Sequence, residues 1–97
     1  MPEAKFLLVT FNFEGRIAPN EKLKTLFDKA LDWVNYAPNC YILYTTTSHL
    51  AWKARIRKAL DDDSTVFIVE FDPDKKTGFA PKRVWDWFKK DRSITSA

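Results

Sequence analysis

Residues 32–37, DWVNYA, decide the fold, because they can be read either as the end of a helix or as a strand. Leu23, Leu26, Phe27, Ala30, Leu31 and Val34 recur at intervals of three and four, the period of a helix that starts near Glu21. Asn20 suits the N-cap, and Glu21 suits a first turn where negative charge complements the helix dipole. That helical period runs on into 32–37. Leu31, Trp33 and the Asn35–Tyr36 pair can also be taken as a strand, although Asp32 and Val34 alternate with them only weakly. Pro38-Asn39 is a turn signal, and residues 41–47, YILYTTT, are all strand formers. A strand at 32–37 makes a hairpin across Pro38-Asn39. A helix there runs directly into the next strand.

The remaining elements are plainer. Residues 5–13, KFLLVTFNF, open the chain with an apolar run from Phe6 to Phe11, which predicts a central strand buried on both faces and ended by a turn at Glu14-Gly15. Ser48 suits the N-cap of a helix over 49–60, with Trp52, Ile56, Ala59 and Leu60 as its buried stripe. Asp61-Asp62-Asp63-Ser64 reads as a polar turn. Residues 66–71, VFIVEF, read as a strand with apolar residues on both faces up to Glu70, stopped by Asp72-Pro73-Asp74. After a loop over 75–78, Pro81 suits the first turn of a last helix carrying Val84, Trp85, Trp87 and Phe88, and residues 92–97 read as a fraying tail. With 32–37 counted as a strand, the order is β-α-β-β-α-β plus a helix. That is an α+β, ferredoxin-like βαββαβ domain: a four-stranded antiparallel sheet with two helices on one face and an added C-terminal helix. Without it, three strands separated by helices suggest a small parallel sheet, which would bury little surface, and the first reading is preferred.

Composition narrows the class. Ninety-seven residues fit one domain, and 45% hydrophobic against 30% charged residues describe a globular chain. Aromatic residues reach 15%, which implies a dense core or an apolar patch kept for a partner. A net charge of +3 permits nucleic-acid contact without arguing for it. The single cysteine, Cys40, rules out an intrachain disulfide and a cysteine-based zinc site, and fits a reducing cytoplasm. No stretch approaches the roughly 20 apolar residues of a membrane span, and Met1–Lys5 followed by FLLV lacks a signal-peptide layout, so a cytoplasmic location with no membrane partner is expected.

Few residues stand out as chemistry. Asn12 is a polar side chain at the end of the first strand, where it can either serve a site or cap the following turn. His49 is the only histidine, which leaves a histidine relay or a multi-histidine metal site without partners. The acidic run 61–63 lacks the spacing of a calcium loop, and Gly15 and Gly78 make no phosphate-cradling loop. The second helix is more suggestive. Lys53 and Arg57 lie four apart, Arg55 and Lys58 three apart, and together they form either a phosphate-neutralising cluster or an ordinary solvated face. Lys75 and Lys76, with Lys82 and Arg83, are candidates to extend it. In the last helix, Trp85 and Trp87 are about 200° apart on the helical wheel, so one ring is expected to face solvent or a second subunit.

The order and spacing of these pieces resemble the CRISPR-associated Cas-two superfamily, which includes VapD-type toxins and small proteins of the SinR-family type. The features that carry the likeness are FLLVTFNF, CYILYTTTS, HLAWKARIRKAL, DDDS, TVFIVEF and WDWF, in that order from Phe6 to about Trp87. The likeness also favours a strand at 32–37. It implies a ferredoxin-like homodimer that acts either as a metal-dependent nuclease or as a non-catalytic nucleic-acid-binding or scaffolding subunit in prokaryotic or phage defence. In nuclease members an Asp at the end of the first strand meets its dimer mate around a divalent metal. The matching position here is Asn12, so two symmetry-related side chains would bring no charge to the ion. The expectation is therefore a non-catalytic homodimer with no cofactor. It would use Lys53, Arg55, Arg57, Lys58, Lys75 and Lys76 for nucleic acid, or another surface for a partner protein, and Asn12, Phe13, Trp85 and Trp87 at the subunit contact. The alternative is a magnesium- or manganese-dependent endonuclease or toxin using Asn12, Glu14 and Asp72. A small regulator that only shares the fold is a third reading.

Overall fold

The computed structural model describes residues 3–60, 64–90 and 92. In chain order these form β1 (Lys5–Asn12), α1 (Asn20–Phe27), β2 (Asp32–Ala37), β3 (Cys40–Thr45), α2 (His49–Ala59), β4 (Thr65–Phe71), a 3-10 turn (Pro73–Lys75) and α3 (Lys82–Phe88). The strands make one sheet in the order β2-β3-β1-β4, with every neighbouring pair antiparallel. The chain is thus α+β, with three helices on a four-stranded antiparallel sheet.

The stretch at 32–37 is a strand. α1 stops at Phe27, well short of Val34, and the helical period past that point is coincidental. The turn closes with Lys29 N–H donating to Leu26 O at 3.2 Å and Ala30 N–H to Phe27 O at 2.9 Å. The next residues gain more by pairing than by continuing the helix. Trp33 lies opposite Leu43, packs its ring 6.0 Å from Phe27 and 5.9 Å from Tyr41, and donates its indole N–H to Asp28 Oδ1 at 2.9 Å. Tertiary pairing here overrides local propensity. Pro38-Asn39 closes the hairpin, with Asn39 at φ 63°, a conformation asparagine tolerates. The Asn35 amide donates to Ala37 O and Cys40 O across the register shift between Asn35 and Ala37. Asn20 is not the cap it was expected to be. It is the first residue of α1, after Pro19, and no side chain caps that end. Ser48 does cap α2, its Oγ accepting from Ala51 N–H at 3.2 Å.

β1 is central, and its two faces differ. Leu7, Val9, Phe11 and the following Phe13 are buried against Leu23, Leu26 and Phe27 of α1 and Trp52 and Ile56 of α2. Trp52 is fully buried, and its indole N–H is satisfied by Thr45 Oγ1 at 3.2 Å. The opposite face carries Phe6, Leu8 and Thr10, in register with Tyr44, Ile42 and Cys40 on β3 and with Phe71, Val69 and Phe67 on β4. α3 covers only one end of this face. Trp87 and Phe88 pack on Phe6, at 5.9 and 5.8 Å between ring centroids, and Phe88 also meets Phe71.

Arg92 belongs to this end rather than to a fraying tail. Its guanidinium lies over Trp87 at 4.3 Å and Tyr44 at 5.1 Å, donates to Trp87 O, and reaches Asp32 Oδ2 at 3.5 Å. The rest of the expected tail, residues 93–97, and the acidic run 61–63 lie outside the described residues.

Candidate functional site

Asn12, Glu14 and Asp72 are not brought together within one chain. Asn12 is exposed, and its Oδ1 accepts the backbone N–H of Glu14 at 2.9 Å, an Asx turn that carries the chain through Glu14 (φ 53°) and Gly15 (φ 82°). Asn12 therefore caps a turn. Asp72 is far from it. β4 runs antiparallel to β1 with Phe71 opposite Phe6 and Thr65 opposite Asn12, so Asp72 sits at the other end of the sheet, about 20 Å away along the strand. There it caps its own 3-10 turn, its Oδ1 accepting Asp74 N–H at 2.9 Å. Among the described residues, no three of His, Cys, Asp or Glu gather closely enough to hold a metal ion. Asn12, Glu14 and Asp72 do not fit a divalent cation within one chain.

The expected basic patch divides between the two sheet faces. α2 packs on the Leu7–Val9 face through Trp52 and Ile56. Lys53, Arg57 and Lys58 are exposed on it, while Arg55 is half-buried and stacks over Trp52 at 4.9 Å. Lys76 instead stands 4.5 Å over Phe88 of α3, on the other face, and donates to Pro73 O at 2.6 Å. Lys75 precedes it in the same turn. The lysine turn does not extend the α2 patch.

The aromatic residues expected at a subunit contact are mostly internal. Phe13 is buried and stacks on Phe11 at 5.4 Å, and Trp87 is buried against Phe6. Trp85 is half-buried and donates its indole N–H to Ala80 O at 3.1 Å, so the loop before α3 occupies the side on which it was expected to be bare.

Exposed apolar surface lies elsewhere. Phe67 is 68% exposed, Val69 48%, and Phe79 completely. By register, Phe67 and Val69 share the face of Leu8 and Ile42 that α3 leaves open. A groove of about 250 Å³ joins that face to α3, floored by Leu8, Ile42, Phe71, Val84 and Phe88, with Phe79 at its rim. Sequence reading missed Phe67 and Val69 because it took 66–71 as apolar on both faces without placing it at a sheet edge, and it passed over Phe79 in the loop. The usable signal was Phe79 itself, a large apolar residue between Gly78 and Ala80 with no periodic partner.

No family model, curated protein or solved structure matches this chain. A second groove, of about 190 Å³, runs between α2 and β4. Its floor is aliphatic, from Ile56, Leu60, Val66 and Ile68, and Lys53 and Arg57 line it.

Titration behaviour follows the packing. Burial acts to raise the Asp32 carboxyl, but the donors Lys90, Trp87 and Trp33 and the Lys90 charge outweigh it, so it titrates below the ordinary carboxylate value. Lys90 Nζ reaches Asp32 Oδ2 at 2.8 Å; the buried Trp87 indole N–H favours the same charge without completing a hydrogen bond. Tyr36 and Tyr41 are both raised, by burial first and then by neighbouring Cys40. Among the described residues, no helix is long and apolar enough to cross a membrane.

Proposed function

We propose that this chain is a small non-catalytic homodimeric binding or scaffold protein of the Cas-two and VapD type, with ferredoxin-like topology, acting on nucleic acid or a partner protein in prokaryotic or phage defence. The element order β-α-β-β-α-β and the sheet order β2-β3-β1-β4 support the topology. Asn12 and Asp72 lie at opposite ends of the sheet, so they do not act together within one chain. The observation that carries the proposal is the half-open sheet face. Phe67 and Val69 leave apolar surface on that face, Phe79 is bare beside the groove next to it, and a two-fold contact would bury such surface on both copies at once.

The test is solution mass by light scattering across a concentration series. A dimer that persists into the low micromolar range supports the reading. A monomer at every concentration, under conditions where the protein is folded, overturns it.

A further inference from the structure

We infer that the groove between α2 and the free edge of β4 binds an extended acidic segment of a partner protein, which adds to the sheet as a fifth strand. The inference rests on the binding-protein reading above and names the class of partner.

Three observations meet at this place. β4 pairs with β1 on one side, and its other side carries no strand among the described residues. Its sequence, TVFIVEF, lacks the proline and lysine that commonly guard an exposed edge, and the unpaired side of a strand is a template for another strand. Beside that edge, the face of β4 that carries Val66 and Ile68 meets Ile56 and Leu60 of α2, and these four floor the 190 Å³ groove. A strand laid along β4 would drop every second side chain into it. Finally, Lys53 of α2 is exposed and lines the groove, and α2 holds no acid between His49 and Leu60; the acidic run 61–63, next in sequence, lies outside the described residues. The pattern that fits is alternating: apolar side chains toward the floor, carboxylates toward Lys53. Glu70 lies on the same face of β4, one inward position beyond Ile68, so the complementary acids belong near Lys53 rather than along the whole segment.

The same features weigh against nucleic acid as the occupant. Bases bind single-strand sites chiefly by stacking on aromatic rings, and this floor is aliphatic. An open strand edge, in turn, offers a peptide backbone hydrogen bonds in register.

The test uses the whole chain and three nine-residue probe peptides with capped ends. One alternates Val and Glu, one alternates Val and Lys, and one is the Val/Glu peptide with a central proline. Binding is followed by fluorescence anisotropy on a labelled peptide, with amide exchange of β4 as the structural readout and solution mass recorded on the same samples. The Val/Glu peptide is expected to bind and to slow exchange of the β4 amides. The proline peptide and the Lys53→Glu variant are each expected to weaken binding at least tenfold, and Lys53→Glu to prefer the Val/Lys peptide. Lys53 is exposed, so that variant folds, which the exchange pattern of β1 verifies. No binding at millimolar peptide overturns the inference, as does equal binding of the proline peptide or indifference to Lys53→Glu. A single-stranded oligothymidylate that binds Lys53-dependently and displaces the peptide overturns it in favour of nucleic acid. Where a dimer forms, peptide binding only to its monomeric fraction assigns the edge to a second copy and overturns it as well. A dimer that ignores every peptide removes this inference and leaves the proposed function standing; a monomer that binds the Val/Glu peptide does the reverse.

Discussion

Phe67→Asp separates a dimer contact from a folding residue. Phe67 is 68% exposed, on an edge strand, opposite the half-buried Thr10. Its ring contributes little to the core, so replacing it should leave the melting temperature within a few degrees of wild type. In a two-fold dimer the same ring is buried twice. Full burial of a Phe side chain is worth roughly 1.5–3 kcal/mol. About two thirds of that remains to be gained here, or about 1–2 kcal/mol per copy and about 2–4 kcal/mol per dimer. At about 1.4 kcal/mol per tenfold, the dissociation constant should rise roughly 30- to 1,000-fold, before any added cost of burying two carboxylates. Sedimentation velocity over a hundredfold concentration range reads this directly. A variant that dimerises like wild type would show that the open sheet face is not the contact. A variant that unfolds would place Phe67 in the core.

Other substitutions test the remaining assignments. Trp87→Ala should cost about 3–5 kcal/mol in a chemical melt, because it empties a buried site against Phe6 and takes away the surface on which Arg92 lies; a cost below 1 kcal/mol would mean α3 does not pack on the sheet. Asp32→Asn should cost about 1–2 kcal/mol by unpinning Lys90 and Arg92. Because the Asp32 carboxyl is lowered in the folded state, its contribution is present above the ordinary carboxylate pKa and is lost as pH falls through the lowered value. The stability gap between wild type and Asp32→Asn should therefore be full at neutral pH and close in acid, and a gap that widens in acid would contradict the assignment. Asn12→Ala should cost about 0.5–1.5 kcal/mol through loss of the Asx turn. Neither it nor wild type should cleave RNA or DNA with magnesium or manganese, and metal-dependent cleavage abolished by Asn12→Ala would revive the nuclease reading.

Much of the sheet was legible in the sequence, because strands buried on at least one face leave continuous apolar runs. Phe6 to Phe11 and Tyr41 to Thr45 needed no tertiary information. The stretch at 32–37 did need it: Leu31 and Val34 continue a helical period, and only the pairing of Trp33 with Leu43 and the rings of Phe27 and Tyr41 make the strand the better solution. Arg92 was illegible for a related reason. A lone arginine near a polar tail looks solvated until Trp87, Tyr44 and Asp32, from three different elements, surround it. The candidate site was the least legible part. Lys53 and Lys76 look alike in the sequence, and only the placement of α2 and α3 on opposite sheet faces separates them.

β4 links the proposals, and its alternation makes them independently testable. Phe67 and Val69 point to the face left open by α3, while Val66 and Ile68 point to the α2 groove. Its backbone edge belongs to neither face. A dimer built face to face on Phe67 and Val69 leaves the edge free, so peptide and second copy can bind together. A dimer built edge to edge through β4 uses the backbone groups a peptide would need, and the two must then exclude each other. Measuring whether the Val/Glu peptide changes the dimer dissociation constant therefore distinguishes the geometries without a structure of either complex. Unchanged dimerisation places the subunit contact on the face; dissociation in proportion to peptide bound places it on the edge.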